Sequence, residues 1–124
     1  MSTRIIFDHF LPIEMRTWKR ARRQGKVYFT DRKAAATANS LGWLVKVAEP
    51  ALRVSDTARF GFTAKFYVAH KGDGDNYCKL LMDALQGIVW GNDEQVDEGM
   101  FSKEYGRAEV GLRLTIYVID QEVK

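Results

Sequence analysis

From Val110 to Val118 every second residue is a large aliphatic: Val110, Leu112, Leu114, Ile116 and Val118, with Arg113, Thr115 and Tyr117 among the residues between. Successive side chains of a strand point to opposite faces, so a two-residue period predicts a strand with one face on a core and the other toward water. Arg59 to Ala69 repeats the pattern, opposing Phe60, Phe62, Ala64, Phe66 and Val68 to Arg59, Gly61, Thr63, Lys65 and Tyr67. A sheet with one apolar face has to be covered, and two segments can cover it. Ala34, Ala38, Leu41, Val45 and Ala48 recur at helical spacing, with Thr30 or Asp31 as the cap and Pro50 beyond the end. Gly42 weakens that helix without ending it. Tyr77, Leu80, Leu81, Ala84, Leu85 and Ile88 form the second stripe, whose end Gly87 marks.

Residues 3–10, TRIIFDHF, read as a first strand stopped at Pro12, and Val96 to Lys103 as a weaker strand. The expected fold is therefore α+β: a single domain over residues 1–124, with one mixed sheet of four to five strands packed against two main helices. A chain of 124 residues that is 46% hydrophobic buries enough apolar surface for one core without a disulfide or a structural metal. Cys78 is the only cysteine, which excludes a disulfide within the chain and suits a reducing compartment. The stretch RIIFDHFLPIEMR is interrupted by Asp8 and His9, so it reads as neither a signal sequence nor a membrane span, and a cytoplasmic location is expected.

The net charge of +3 is unevenly spread. Arg16, Lys19, Arg20, Arg22, Arg23, Lys26, Arg32 and Lys33 crowd together, with only Asp31 among them, whereas Asp73 to Glu109 is rich in acids. The basic segment from Ile13 to Gly25 has no apolar period and reads as a loop that a ligand would order. A polyanionic partner and a plain solvated basic face both fit such a cluster.

The octapeptide GDGDNYCK, residues 72–79, is harder to explain as structure alone. Two carboxylates at ~4 Å, in an effective dielectric near 20, repel by roughly 4 kcal/mol. Asp75 can cap the helix that follows, but a cap needs one carboxylate, and Asp73 makes two. Lys79 sits in or beside the first turn, against the helix dipole, a placement that costs ~0.3–1 kcal/mol unless an anion is near. Asp93 follows in the turn WGND, where a short return would bring it back to the same end of the sheet.

Several chemistries fail on spacing. Lys79 lacks the glycine before it and the Ser or Thr after it that a Walker loop requires, so no nucleotide cofactor is expected. Counted from Asp73, the sixth and twelfth positions of a calcium loop hold Cys78 and Ala84 in place of Gly and Glu. His9, His70 and Cys78 have no zinc-ligand spacing, and no Ser-His-Asp set is evident. Carboxylates around a hard cation remain: Asp73, Asp75 and Asp93 as ligands of Mg²⁺, with Mn²⁺ as a substitute, and Lys79 stabilising charge on phosphoryl oxygens. Asp83 lies two turns beyond Asp75, ~12 Å along the axis, too far to share the ion. Its place four residues after Lys79 suggests that it orients the lysine.

The run GDGDNYCKLLMDALQGIVWGNDEQV, residues 72–96, resembles the RusA-type Holliday-junction resolvases of bacteria and phages. Its pattern is Asp, any residue, Asp-Asn, then Lys, a helix with Asp-Ala-Leu, and an acidic turn before Glu-Gln-Val. The resemblance implies a homodimeric, Mg²⁺-dependent endonuclease that nicks four-way DNA junctions symmetrically, in DNA recombination and repair. By motif position it makes Asp73, Asp75 and Asp93 the catalytic, metal-binding acids and Lys79 the essential lysine; Asn76, Asp83 and Asn92 are expected to stand behind them as supporting residues. Where the family usually has two adjacent acids, this chain has Asn92 then Asp93. Arg16, Lys19, Arg20, Arg22, Arg23, Lys26, Lys71 and Lys103 are the expected DNA contacts, and Trp18 is placed either to stack on an exposed base or to pack on the core. Asn92 leaves a second reading open, a branched-DNA-binding protein without turnover; a third is a basic RNA-binding or protein-interaction module whose acids cap a helix.

Overall fold

The computed structural model describes residues 2–15, 23–24, 27–28, 32–68, 74–105 and 109–120. In chain order the elements are β1 (Ser2–Leu11), β2 (Arg23–Gln24), β3 (Val27–Tyr28), α1 (Arg32–Ala48), β4 (Arg59–Val68), α2 (Gly74–Leu85), a 3-10 turn (Asp93–Gln95), β5 (Val96–Tyr105) and β6 (Gly111–Asp120). The main sheet has the order β1-β6-β4-β5. β6 runs antiparallel to both β1 and β4, and β5 runs parallel to β4, so the sheet is mixed and the domain α+β, as the periodicities imply.

Phe60, Phe62, Ala64, Phe66 and Val68 of β4 are buried together with Leu112, Leu114, Ile116 and Val118 of β6. Leu41 and Val45 of α1 and Tyr77, Leu80, Leu81 and Leu85 of α2 close over them in one core cluster. Each fully buried aliphatic or aromatic side chain contributes ~1.5–3 kcal/mol, so these two stripes account for the helices' attachment more than helix propensity does. Gly42, which costs α1 propensity, marks the helix crossing: a Cβ there would lie 2.7 Å from Ile88 Cδ1 and 3.3 Å from the Ala84 carbonyl oxygen. Gly87 has φ +87° just past the end of α2, the left-handed conformation glycine adopts without strain.

Among the described residues the other face of the sheet is left open, with Thr63, Lys65 and Arg113 exposed on it. Asp8 accepts hydrogen bonds there from Arg113 (2.8 Å) and Thr115 (3.1 Å) on the neighbouring strand.

Two features differ from the sequence reading. The basic segment does not end as plain loop: β2 and β3 pair antiparallel, Arg23 with Tyr28 and Gln24 with Val27, in strands too short to show a period. The strand expected over Val96 to Lys103, β5, extends to Tyr105, two residues further, held along its length by β4. The expected caps Thr30 and Asp31 lie outside the described residues.

Candidate active site

Asp75 and Asn76 fall in the first turn of α2, at the end of the helix that follows β4. Tyr77, one residue on, packs its ring 5.2 Å from that of Phe66, near the C-terminal end of β4. Lys103 and Tyr105 of β5 stand beside Phe66 and Val68 in the sheet register, with the Lys103 ammonium 5.6 Å from the centre of the Tyr105 ring. Burial pushes the Tyr77 hydroxyl pKa up, and the positive charge of Lys103 opposes the shift. The start of α2 and the end of β5 therefore form one corner of the molecule, with Lys79 exposed on the helix above it.

Asp93 sits in a differently built corner. Asn92 caps the 3-10 turn, its side-chain oxygen accepting from the Glu94 amide (2.9 Å). Gln95 is only 4% exposed, and its side chain is fully used. The carbonyl oxygen accepts from the amides of Gly91 and Asn92, both at 3.0 Å, while the nitrogen donates to the carbonyls of Ser55 (2.8 Å) and Ala58 (2.9 Å). Arg59 reaches over from β4 to clasp the Asp97 carboxylate, and it also donates to the side chain and the carbonyl of Glu94. Hydrogen bonding to Arg59 is the main reason the Asp97 carboxyl titrates below its ordinary range, and the same bonds raise the guanidinium pKa. Glu98, next along, accepts the hydroxyl hydrogen of Tyr117. Asp93 is exposed, and among the described residues its carboxylate has no hydrogen-bond or ion-pair partner.

The two corners lie at opposite ends of the same strand. Trp90, just before the Asp93 turn, packs 5.7 Å from Phe60, and Val96, just after it, pairs with Phe60. Tyr77 packs on Phe66, six residues further along β4, or about 20 Å at ~3.3 Å per residue. The expected return of Asp93 to the same end as Asp75 is thus corrected: β5 is parallel to β4, so the chain must travel the length of α2 before β5 begins. Within one chain, the first turn of α2, where Asp75 falls, and the turn that carries Asp93 are not brought together by this geometry. Among the described residues no group of three metal-ligating side chains is present.

Other site residues fall out as follows. Asp83 is exposed and makes no ion pair with Lys79; it lines an open groove between the helices with Trp43 and Lys46. Asn92 supplies the cap of the turn, and Asn and Asp cap about equally well. Lys103 is half-buried at the α2 corner. Asp73, Arg16, Trp18, Lys19, Arg20, Arg22, Lys26 and Lys71 lie outside the described residues, and Arg23 is described only as backbone in β2. Sequence reasoning missed Arg59 and Gln95 as supports of Asp93. Asn92 and Gln95 at first-and-fourth spacing are a capping-box pattern, which was the available signal.

No described helix is long and apolar enough to cross a membrane. The family model for endodeoxyribonuclease RusA matches residues 12–117. No curated protein matches the chain.

Proposed function

The chain belongs to the RusA endodeoxyribonuclease family, whose activity is Holliday-junction resolution, and on that premise we propose a Mg²⁺-dependent homodimer that resolves four-way DNA junctions by paired symmetric nicks. Each site is assembled from Asp73 and Asp75 of one protomer and Asp93 of the other. The observation that carries this arrangement is the placement of Asp93, immobilised about 20 Å from the first turn of α2 and without a partner among the described residues.

The strand beside it offers the means of assembly. Among the described residues, β5 is an edge strand of ten residues with one neighbour in the sheet. Met100 is 71% exposed, and Phe101 and Tyr105 are each 43% exposed. An exposed edge of this length, with Met100 and Phe101 at the middle of an otherwise polar strand, can pair with another strand. Two β5 strands joined antiparallel about a two-fold axis set Val96 of each copy near Tyr105 of the other. Tyr105 stands beside Val68 at the α2 corner, so Asp93 of each copy arrives beside Asp75 of its mate.

The donor set is all carboxylate, which suits Mg²⁺ with water and phosphate oxygens completing its shell. Bound there, the ion would polarise the phosphodiester and lower the pKa of a bound water. Lys79, exposed on α2, stabilises charge on the phosphoryl or leaving oxygen, with Asn76 beside the acids. Lys103 and the basic residues of 16–26 bind backbone phosphates, together with Lys71, in a cytoplasmic enzyme of a bacterial or phage-infected cell. A four-way junction presents two symmetry-related phosphates, and the two-fold dimer presents two sites.

Mixing two inactive variants tests the arrangement. Asp75→Asn and Asp93→Asn should each abolish nicking of a synthetic junction in Mg²⁺. After subunit exchange, the mixed dimer keeps one intact site, built from Asp75 of one chain and Asp93 of the other, and should give single nicks without paired resolution. If verified mixed dimers stay silent, assembly across the dimer is wrong. Wild-type binding without nicking in Mg²⁺ or Mn²⁺ would leave a junction-binding protein without turnover, and equal cutting of linear duplex would leave a general nuclease.

A further inference from the structure

Four acids lie within six residues at the start of β5: Asp93, Glu94, Asp97 and Glu98. Unpaired carboxylates so close together would compete for a divalent ion and offer it several geometries. Three of them are already engaged. Arg59 holds Asp97 through both carboxylate oxygens and Glu94 at 3.0 Å, and Tyr117 holds Glu98. The guanidinium is well placed to do so, because its side chain is only 28% exposed and it also donates to the Glu94 carbonyl at 2.8 Å, fixing the backbone that follows Asp93. Gln95 fixes the same turn from inside with four hydrogen bonds.

We propose that Arg59 is a positioning residue that selects the metal ligand: by occupying Glu94 and Asp97 it leaves Asp93 as the carboxylate this segment offers to a divalent cation. The inference rests on the reading of Asp93 as a ligand. Its consequence is specific to charge, since a fixed guanidinium both repels a second cation and denies it oxygen donors.

The test is Mn²⁺ titration of the full-length protein bound to a junction, read by paramagnetic broadening of backbone amides and by bound Mn²⁺ per chain. In the wild type, broadening should centre on residue 93 and the α2 corner. Arg59→Met should add one weaker Mn²⁺ per chain, seen as a second phase of the titration at higher Mn²⁺. Adding Glu94→Gln and Asp97→Asn to Arg59→Met should return the wild-type pattern, a rescue that a merely structural role would not give. An unchanged pattern and stoichiometry in a folded Arg59→Met protein overturns the inference and leaves the Asp93 reading standing. Failure of wild-type residue 93 to broaden, with broadening elsewhere at the α2 corner, overturns both.

Discussion

Tyr117 lies across Gly61, so close that a Cβ on the glycine would overlap its ring, and its hydroxyl reaches past the glycine from β6 to Glu98 on β5. One side chain thereby spans β4 on the open face of the sheet. Gly61→Ala should swing the ring aside, break the contact with Glu98 and cost about 0.5–1.5 kcal/mol, the net worth of the hydrogen bond lost. Chemical denaturation of the variant beside wild type measures it.

The same tyrosine gives an alkaline signature. Burial, then the bond to Glu98, pushes the Tyr117 hydroxyl up to about 12. The fold favours the neutral phenol, so this contribution to stability is complete below the unfolded value near 10 and is lost as pH rises from about 10 to about 12. A titration of phenolate absorbance should show a late-ionising group. Tyr117→Phe should remove it while leaving the raised transition of Tyr77 in place.

Gln95 admits no close substitute. Glutamate can still accept from Gly91 and Asn92, but it turns an acceptor toward the carbonyls of Ser55 and Ala58. Gln95→Glu should lose at least ~1–3 kcal/mol, as for any buried polar group stripped of its partner. Thermal unfolding checks this, and amide exchange at residues 91–95 should accelerate in the same variant.

Asp75→Asn is expected to separate chemistry from folding. Asp75 is the second residue of α2, where its charge favours the helix dipole by ~0.3–1 kcal/mol, and removing one of two crowded carboxylates offsets that loss by relieving repulsion. Metal-free stability should stay equal or rise slightly and junction binding should persist, with nicking lost. A fall of more than ~2 kcal/mol would make the residue mainly structural.

Ten-residue strands announce themselves, and β4 and β6 were legible because one of their faces is sealed under helices while the other meets water. β2 and β3 were not, because two residues cannot display a period. The acids were legible as types and spacing, yet the position of Asp93 depended on the direction of β5, which a run of polar edge residues does not encode. A short turn suggested a return to Asp75; the parallel pairing of β5 with β4 sends Asp93 to the far end. Arg59 looked like one more outward residue of an alternating strand, since nothing local in the sequence ties it to acids 35 and 38 positions away.

The edge strand also acts as a ruler. Under the proposed pairing the two sites sit at opposite ends of the joined β5 strands, and ten residues at ~3.3 Å set them roughly 30 Å apart. The distance between the two cuts is then written in backbone, independent of loops or side chains, and the junction has to open to match it. Lengthening β5 by one pleat, two residues, would leave each site chemically complete but put the second phosphate out of reach, turning a resolving enzyme into a nicking one.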